Sequence, residues 1–164
     1  MLDIRRIIVP VDFYQYSNDL AEFAIGIANK LEADVTFVHV AEYILSYSDY
    51  SPEPDKRLDE AIGIYAESKM ETLVEKSKKT CPGCKGVVLR GVVSDGIVQY
   101  ARENEVDMII MATHGAKGIE KILMGSVADR VLKQSPCPVL IFNPYKGERG
   151  FQSDSSMKKS AQPA

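Results

Sequence analysis

Residues 106–142, VDMIIMATHGAKGIEKILMGSVADRVLKQSPCPVLIF, decide the fold. The apolar run VDMIIMA at 106–112 has the length and composition of a strand buried on both faces. A glycine-rich turn follows, then a helix opened by Ser126 and running to about Lys133, then a second apolar run, PVLIF at 138–142. Strand, helix and strand in this order imply parallel pairing through a crossover, with helices on both faces of the sheet.

The same unit recurs upstream. RRIIVPV at 5–11 reads as a first strand, and Ser17 as the N-cap of a helix. In that helix Leu20, Phe23, Ala24, Ile27, Ala28 and Leu31 form one apolar stripe. VTFVHV at 35–40 is the second strand, and the segment from Ala41 to Pro54, with Tyr43, Tyr47, Tyr50 and two prolines, reads as a long loop. Asp55 opens a helix to about Lys79, with Leu58, Ala61, Ile62, Tyr65, Ala66 and Leu73 inward, before Pro82-Gly83 stops it. GVVLRGVV at 86–93 is the third strand, after which Ser94 caps a short helix with Ile97, Val98 and Ala101 inward. The expectation is a doubly wound, Rossmann-like α/β fold: five parallel strands ordered 3-2-1-4-5, with four helices on both faces. Beyond Asn143 periodicity is lost, so residues 1–143 are read as one domain and 144–164 as a polar tail.

The 164 residues carry 45% hydrophobic and 26% charged side chains, the balance of an ordinary globular domain. A net charge of −3 without a basic stripe argues against a nucleic-acid partner. The N-terminal apolar run is short and broken by Pro10 and Asp12, unlike a signal segment, and no run reaches membrane-spanning length. The expected setting is therefore cytoplasmic, with the three cysteines as thiols.

Chemistry concentrates where strand order reverses, between the first and fourth strands, because ligands lodge outside the carboxyl ends there. Asp12 ends one of these strands and Thr113 follows the other. Gly115, Gly118 and Gly125 permit positive φ and close approach of backbone to a ligand. At the following helix the amides of Ser126 and Val127 should point outward, which with the helix dipole makes an anion site. Thr113 and Ser126 add hydroxyls. From spacing alone the glycines could equally serve only the turn, and Ser126 only the cap. Asp12 could cap local amides or help hold Mg²⁺.

Ala112-Thr113-His114-Gly115, nine residues, then Gly125-Ser126 resembles the signature of the universal stress protein family, whose ATP-binding members carry G-x-x-G, nine residues, then Gly with Ser or Thr. The likeness extends to IIVPVDF, VTFVHV and SVADRVLKQSPCPVLIF, and so spans residues 4–142. It implies an adenine nucleotide alpha hydrolase-like fold that binds ATP with Mg²⁺ and serves as a nucleotide-dependent stress or signalling dimer, with a protein partner and at most slow hydrolysis. By this resemblance Asp12 and the Val11 backbone line the base and ribose, the Val40 backbone contacts adenine, and Thr113, Gly115, Gly125, Ser126 and Val127 hold ribose and phosphates. Pro10, Met111, Ala112, His114 and Gly118 complete the candidate set. The departure is Ala112, which replaces the first glycine of the motif and adds a methyl beside the expected ribose or α-phosphate. Strand five, without Lys or Glu, should be an open apolar edge, and residues 138–142 are the expected homodimer contact.

Other features carry less. His39 reads as structural, and two histidines without a carboxylate cluster do not make a metal site. Cys81-Pro82-Gly83-Cys84 has redox spacing but follows a helix rather than opening one, and Cys137 lies between two prolines. The chain has neither G-x-x-x-x-G-K-[ST] nor S-G-G-x-D-S, and only Asp12 or His114 could act as a general base, so binding is favoured over turnover. A flavodoxin-like carrier of FMN is the competing use of such a sheet; the absence of Trp counts against it.

Overall fold

The computed structural model describes residues 3–43, 45–48, 51–54, 56–113 and 124–144. The elements in chain order are β1 (Arg6–Pro10), α1 (Ser17–Leu31), β2 (Asp34–Ala41), β3 (Leu45–Ser48), β4 (Ser51–Pro54), α2 (Lys56–Ser77), β5 (Lys85–Arg90), α3 (Val93–Glu103), β6 (Met108–Ala112), α4 (Ser126–Gln134) and β7 (Val139–Phe142). Five strands form one sheet ordered β5-β2-β1-β6-β7, every pair parallel. This is the expected 3-2-1-4-5 arrangement.

Side-chain alternation along each strand divides the core between the two faces. Ile7, Val9, Val35, Phe37 and Ile110 pack under Leu20, Ala24, Ala28, Met70 and Leu73 of α1 and α2. Ile8, Val38, Val40, Ile109 and Met111 pack under Ile97, Val98, Ala101, Ala128 and Val131 of α3 and α4. Gly86 admits α2 onto β5, since a Cβ there would land against Met70 and 2.9 Å from Val74 Cγ2.

Several local expectations need correction. The segment from Ala41 to Pro54 was expected as a loop, yet it contains the antiparallel pair β3–β4, with Leu45 opposite Pro54 and Tyr47 opposite Pro52. A two-stranded ribbon has only edge strands, where a proline's missing N–H can face away from the partner. Ser17 is not the cap of α1: Tyr16 holds that position, and Ser17 is the first helical residue. The third strand of the large sheet ends at Arg90 rather than Val93, because Gly91 takes φ 132° and turns the chain. Val92 then caps α3, and Ser94 lies buried inside its first turn. Leu58 and Tyr65 of α2 and Leu31 of α1 are exposed instead of inward. The amino half of α2 makes its link to the sheet by charge: Arg90 pairs with Asp59 at 3.2 Å and also donates to the Asp59 carbonyl. The tail expected from 144 lies outside the described residues, apart from a buried Pro144.

The Cys81–Cys84 segment is a turn after α2, closed by the Cys84 N–H donating to the Cys81 carbonyl at 3.0 Å. Both thiols are buried in the α1/α2 core. Burial, reinforced by Cys81, pushes the Cys84 thiol up to about 11, so it stays protonated and unreactive at neutral pH.

At the amino end of the sheet Asp107 fixes the entry of β1. Its Oδ2 accepts the N–H groups of Arg5 at 2.9 Å and Arg6 at 2.8 Å. The Arg5 amide first, then the Arg6 amide and charge, hold this carboxyl below its usual range. A depressed carboxylate stabilises the fold above its unfolded pKa and loses that contribution as pH falls through the folded pKa. Asp107→Asn is expected to cost about 1 kcal/mol in urea unfolding at neutral pH. The gap should narrow on acidification, and a pH-independent difference would contradict this assignment.

Candidate functional site

Two adjoining strands part company at the carboxyl end of the sheet, and the residues responsible are identifiable. β1 pairs with β6 only at Ile7↔Met108 and Ile8↔Ile109, although both strands continue. In a parallel ladder alternate residues turn their peptide groups to opposite neighbours. The Val11 N–H donates to the Val38 carbonyl at 2.9 Å, so odd residues of β1 face β2 and even residues face β6. The next rung toward β6 therefore falls to residue 10, and Pro10 has no N–H to give. The ladder stops there, at the point where strand order reverses, which is where a ligand crevice is expected in an open α/β sheet.

The same reading places Ala112 on that crevice. The Thr113 N–H donates to the Phe142 carbonyl at 3.0 Å, so Ala112, one residue earlier, turns its peptide toward β1. Met111 pairs with Ile141, and its side chain is buried in the α3/α4 core.

β2 contributes in a parallel way. Its register with β1 ends at Pro10↔Val38, and the Ala41 carbonyl accepts from Gly91 of the β5 side at 3.1 Å. Val40 therefore directs its N–H and C=O to the β1 side, beyond the last rung. The Val11 carbonyl that would accept the Val40 N–H is instead 2.8 Å from His39 Nδ1.

Asp12 follows directly. The Tyr14 N–H and the Ser17 hydroxyl both donate to its Oδ1 at 3.0 Å, tying it to the start of α1. No described residue bonds Oδ2. The local capping role open for Asp12 in the sequence is thus present, and it leaves one oxygen turned elsewhere. Between Asp12 and Tyr14, Phe13 sits at φ 63°, a left-handed conformation unusual for a bulky residue, with its ring 4.4 Å from that of His39.

On the other wall the Gly125 N–H donates to the Thr113 carbonyl at 2.9 Å and closes the base of the connection from β6 to α4. Gly125 is the N-cap of α4 at φ −62° and ψ 154°, with no side-chain cap. Its glycine is needed for space and not for positive φ: a Cβ would lie 3.1 Å from the Thr113 carbonyl oxygen. The Asp129 N–H donates to the Gly125 carbonyl at 3.0 Å, so the amides of Ser126 and Val127, ahead of it in the first turn, have no intrahelical partner. His114, Gly115 and Gly118 lie outside the described residues.

Pro10, Val11, Asp12, Val40, Ala112, Thr113, Gly125, Ser126 and Val127 thus gather at one end of the sheet. Ser17 and His39 lie beside them and are not in the candidate set; the signal for Ser17 is the spacing of an Asx turn, Asp12 to Tyr14, with a hydroxyl five positions on. Two shallow grooves lie elsewhere, one of about 390 Å³ at the amino ends of β1, β2 and β5 between Arg6, Asp34, Lys85 and Glu105. The other, beside Arg102 and Gln134, is the same size. Their linings mix charges of both signs without converging donors.

Comparison with known proteins bears on the family and the fold. Residues 3–143 match the universal stress protein family. Universal stress protein MJ0531 of Methanocaldococcus jannaschii is 34% identical over 148 residues, covering 88% of this chain and 85% of that protein. Among solved structures, universal stress protein UspA from Lactobacillus plantarum superposes with a TM-score of 0.69 at 20% identity, over 85% of this chain and 98% of its own. A universal stress protein in complex with cAMP gives 0.64 at 20% identity, over 86% and 98%. A family member from Arabidopsis thaliana with AMP bound gives 0.61 at 19% identity, over 90% and 97%. Fold, strand order and sequence agree, and the chain belongs to the universal stress protein family.

Proposed function

We propose that this protein binds an adenine nucleotide in the crevice between β1 and β6 and acts as a nucleotide-dependent stress or signalling dimer. The observation that carries the reading is that, among the described residues, backbone donors without partners lie at the carboxyl end of the sheet: the Val40 N–H on one side of the strand reversal and the Ser126 and Val127 amides on the other. The first suits the edge of a base, and the second suits phosphate at a helix N-terminus. Two structural neighbours are described as holding cAMP and AMP, each of which offers a base and a phosphate. A helix dipole contributes only about 0.3–1 kcal/mol per charge, so the amides, the Ser126 hydroxyl and Mg²⁺ must act together on a triphosphate.

ATP with Mg²⁺ is the proposed ligand, with Asp12 Oδ2 turned to the metal or the ribose. Binding is the output, and no group in the crevice is assigned to turnover. Dimerisation is proposed through β7, an edge strand whose Phe142 stacks on Phe23 of α1 at 4.9 Å and extends an apolar surface from the open edge. A protein partner in the cytoplasm would read the nucleotide-bound surface.

Calorimetric titration with MgATP, AMP and cAMP tests the ligand. Wild type is expected to bind, and Gly125→Val to weaken binding by about tenfold or more and to lower the melting temperature, since its backbone angles suit valine but its Cβ would press on the Thr113 carbonyl oxygen at 3.1 Å. Absence of binding by wild type would sink the proposal.

Ala112→Gly tests the departure from the motif. Removing the methyl, which packs against the α1/α2 core at the end of β6, is expected to let the backbone come closer to the ligand and tighten MgATP binding, and unchanged or weaker binding would show that the methyl does not crowd the ligand.

Light scattering at micromolar concentration tests assembly, with twice the 18.2 kDa chain mass expected. A charge on the edge, Ile141→Lys, should give the single-chain mass; a wild-type monomer would refute the dimer.

A further inference from the structure

Regular continuation of the sheet would close the base end of the crevice, and one side chain stands in its way. Between β1 and β2 the rung after Val11 N–H to Val38 C=O is Val40 N–H to Val11 C=O. That rung is not made: the register ends at Pro10↔Val38, and the Val11 carbonyl lies 2.8 Å from His39 Nδ1. A carbonyl only accepts, so Nδ1 carries the proton. We infer that His39 is a positioning residue, whose Nδ1–H holds the Val11 carbonyl turned toward the imidazole and off the line of the next rung, and so keeps the Val40 N–H unpaired for the nucleotide base.

The surroundings of His39 serve the same end. Its ring packs on Phe13 at 4.4 Å, and Phe13 is held at φ 63°. This conformation turns the chain out of the β1 direction immediately after Asp12, so β1 cannot run on beside β2. The Asp12 Oδ1 bonds to the Tyr14 N–H and the Ser17 hydroxyl secure the far side of the turn. One imidazole thus acts twice, its nitrogen on Val11 and its face on Phe13, and two substitutions separate these actions. His39→Asn keeps a donor near the Nδ1 position without the ring. His39→Phe keeps a ring without the donor.

The inference rests on the adenine-nucleotide reading for its purpose, but its structural content is measurable without nucleotide. In full-length wild type, the neutral imidazole of His39 should show a protonated Nδ1 in long-range ¹H–¹⁵N spectra. The Val40 amide should exchange rapidly with solvent for a residue inside a central strand, and slow when MgATP saturates the protein. In His39→Phe the Val40 amide should become protected without nucleotide, and MgATP affinity should fall by about tenfold or more. His39→Asn should retain affinity within about threefold of wild type and leave the Val40 amide exposed. A His39→Phe variant that binds as wild type does, with Val40 exchange unchanged, would overturn the inference. If wild type binds no adenine nucleotide, the functional reading fails, and Val40 exchange in His39→Phe still decides whether His39 controls the rung. If His39→Phe does not fold, the wild-type spectra decide: a protected Val40 amide, or an Nδ1 without its proton, overturns the assignment.

Discussion

The hydrogen-bond ladder of β1, the central strand of the sheet, stops on both sides toward its carboxyl end, after Ile8 on the β6 side and after Pro10 on the β2 side. On the β6 side Pro10 has no N–H to continue it, and on the β2 side the His39 side chain holds the Val11 carbonyl off the line of the next rung. Parallel sheets gain cohesion from uninterrupted rungs, and a buried amide left without a partner costs about 1–3 kcal/mol unless a ligand or water supplies one. The unpaired groups therefore gather where solvent or ligand can reach them, outside the carboxyl ends of the strands. The rest of the sheet supports that opening: β1–β2 pairs over five positions and β6–β7 over four, each held between two apolar layers.

The two faces supply different parts of the site. From the α1 side come Ser17 and the turn around Phe13, which fix the Asp12 carboxyl. From the α4 side come an uncapped helix start and the contact of Gly125 with Thr113. Gly125 illustrates why a small residue is required at a position with ordinary backbone angles: the Thr113 carbonyl already occupies the space a side chain would take. α3 reaches the same end of the sheet, and Gly96 lets it approach Val40, whose methyls would stand 3.0 and 3.1 Å from a Cβ there. The side chain of Val40 is thus held by the helix while its peptide faces the opposite way, along the sheet.

Much of this was legible in the sequence because it depends on pattern. Unbroken apolar runs at 35–40 and 106–112 marked buried parallel strands, and the interposed helices gave strand order and the reversal beside β1. Ends were less legible. Ser17 and Ser94 look like caps, yet each lies inside its helix, because Tyr16 and Val92 take the cap positions by backbone geometry alone. The outward face of Leu58 and Tyr65 was misread because periodicity describes a helix's apolar stripe and not how far its neighbours extend along it. The two prolines at 52 and 54 hid a hairpin, since local preference penalises them without regard to which side of a strand they face. His39 was hardest to read: a histidine within an apolar strand reads as filler, and its role depends on a carbonyl 28 residues away.

The central claim is that one crevice, framed by Pro10, Val40, Ala112 and the start of α4, receives an adenine nucleotide. Amide chemical shifts of the ¹⁵N-labelled full-length protein, followed as AMP and then MgATP are added, test it most directly. The account predicts that Val40, Ala112, Ser126 and Val127 shift most and saturate together, while Arg6, Lys85 and Glu105 at the opposite end stay in place. Saturating shifts confined to that opposite end, or none at all, would contradict it.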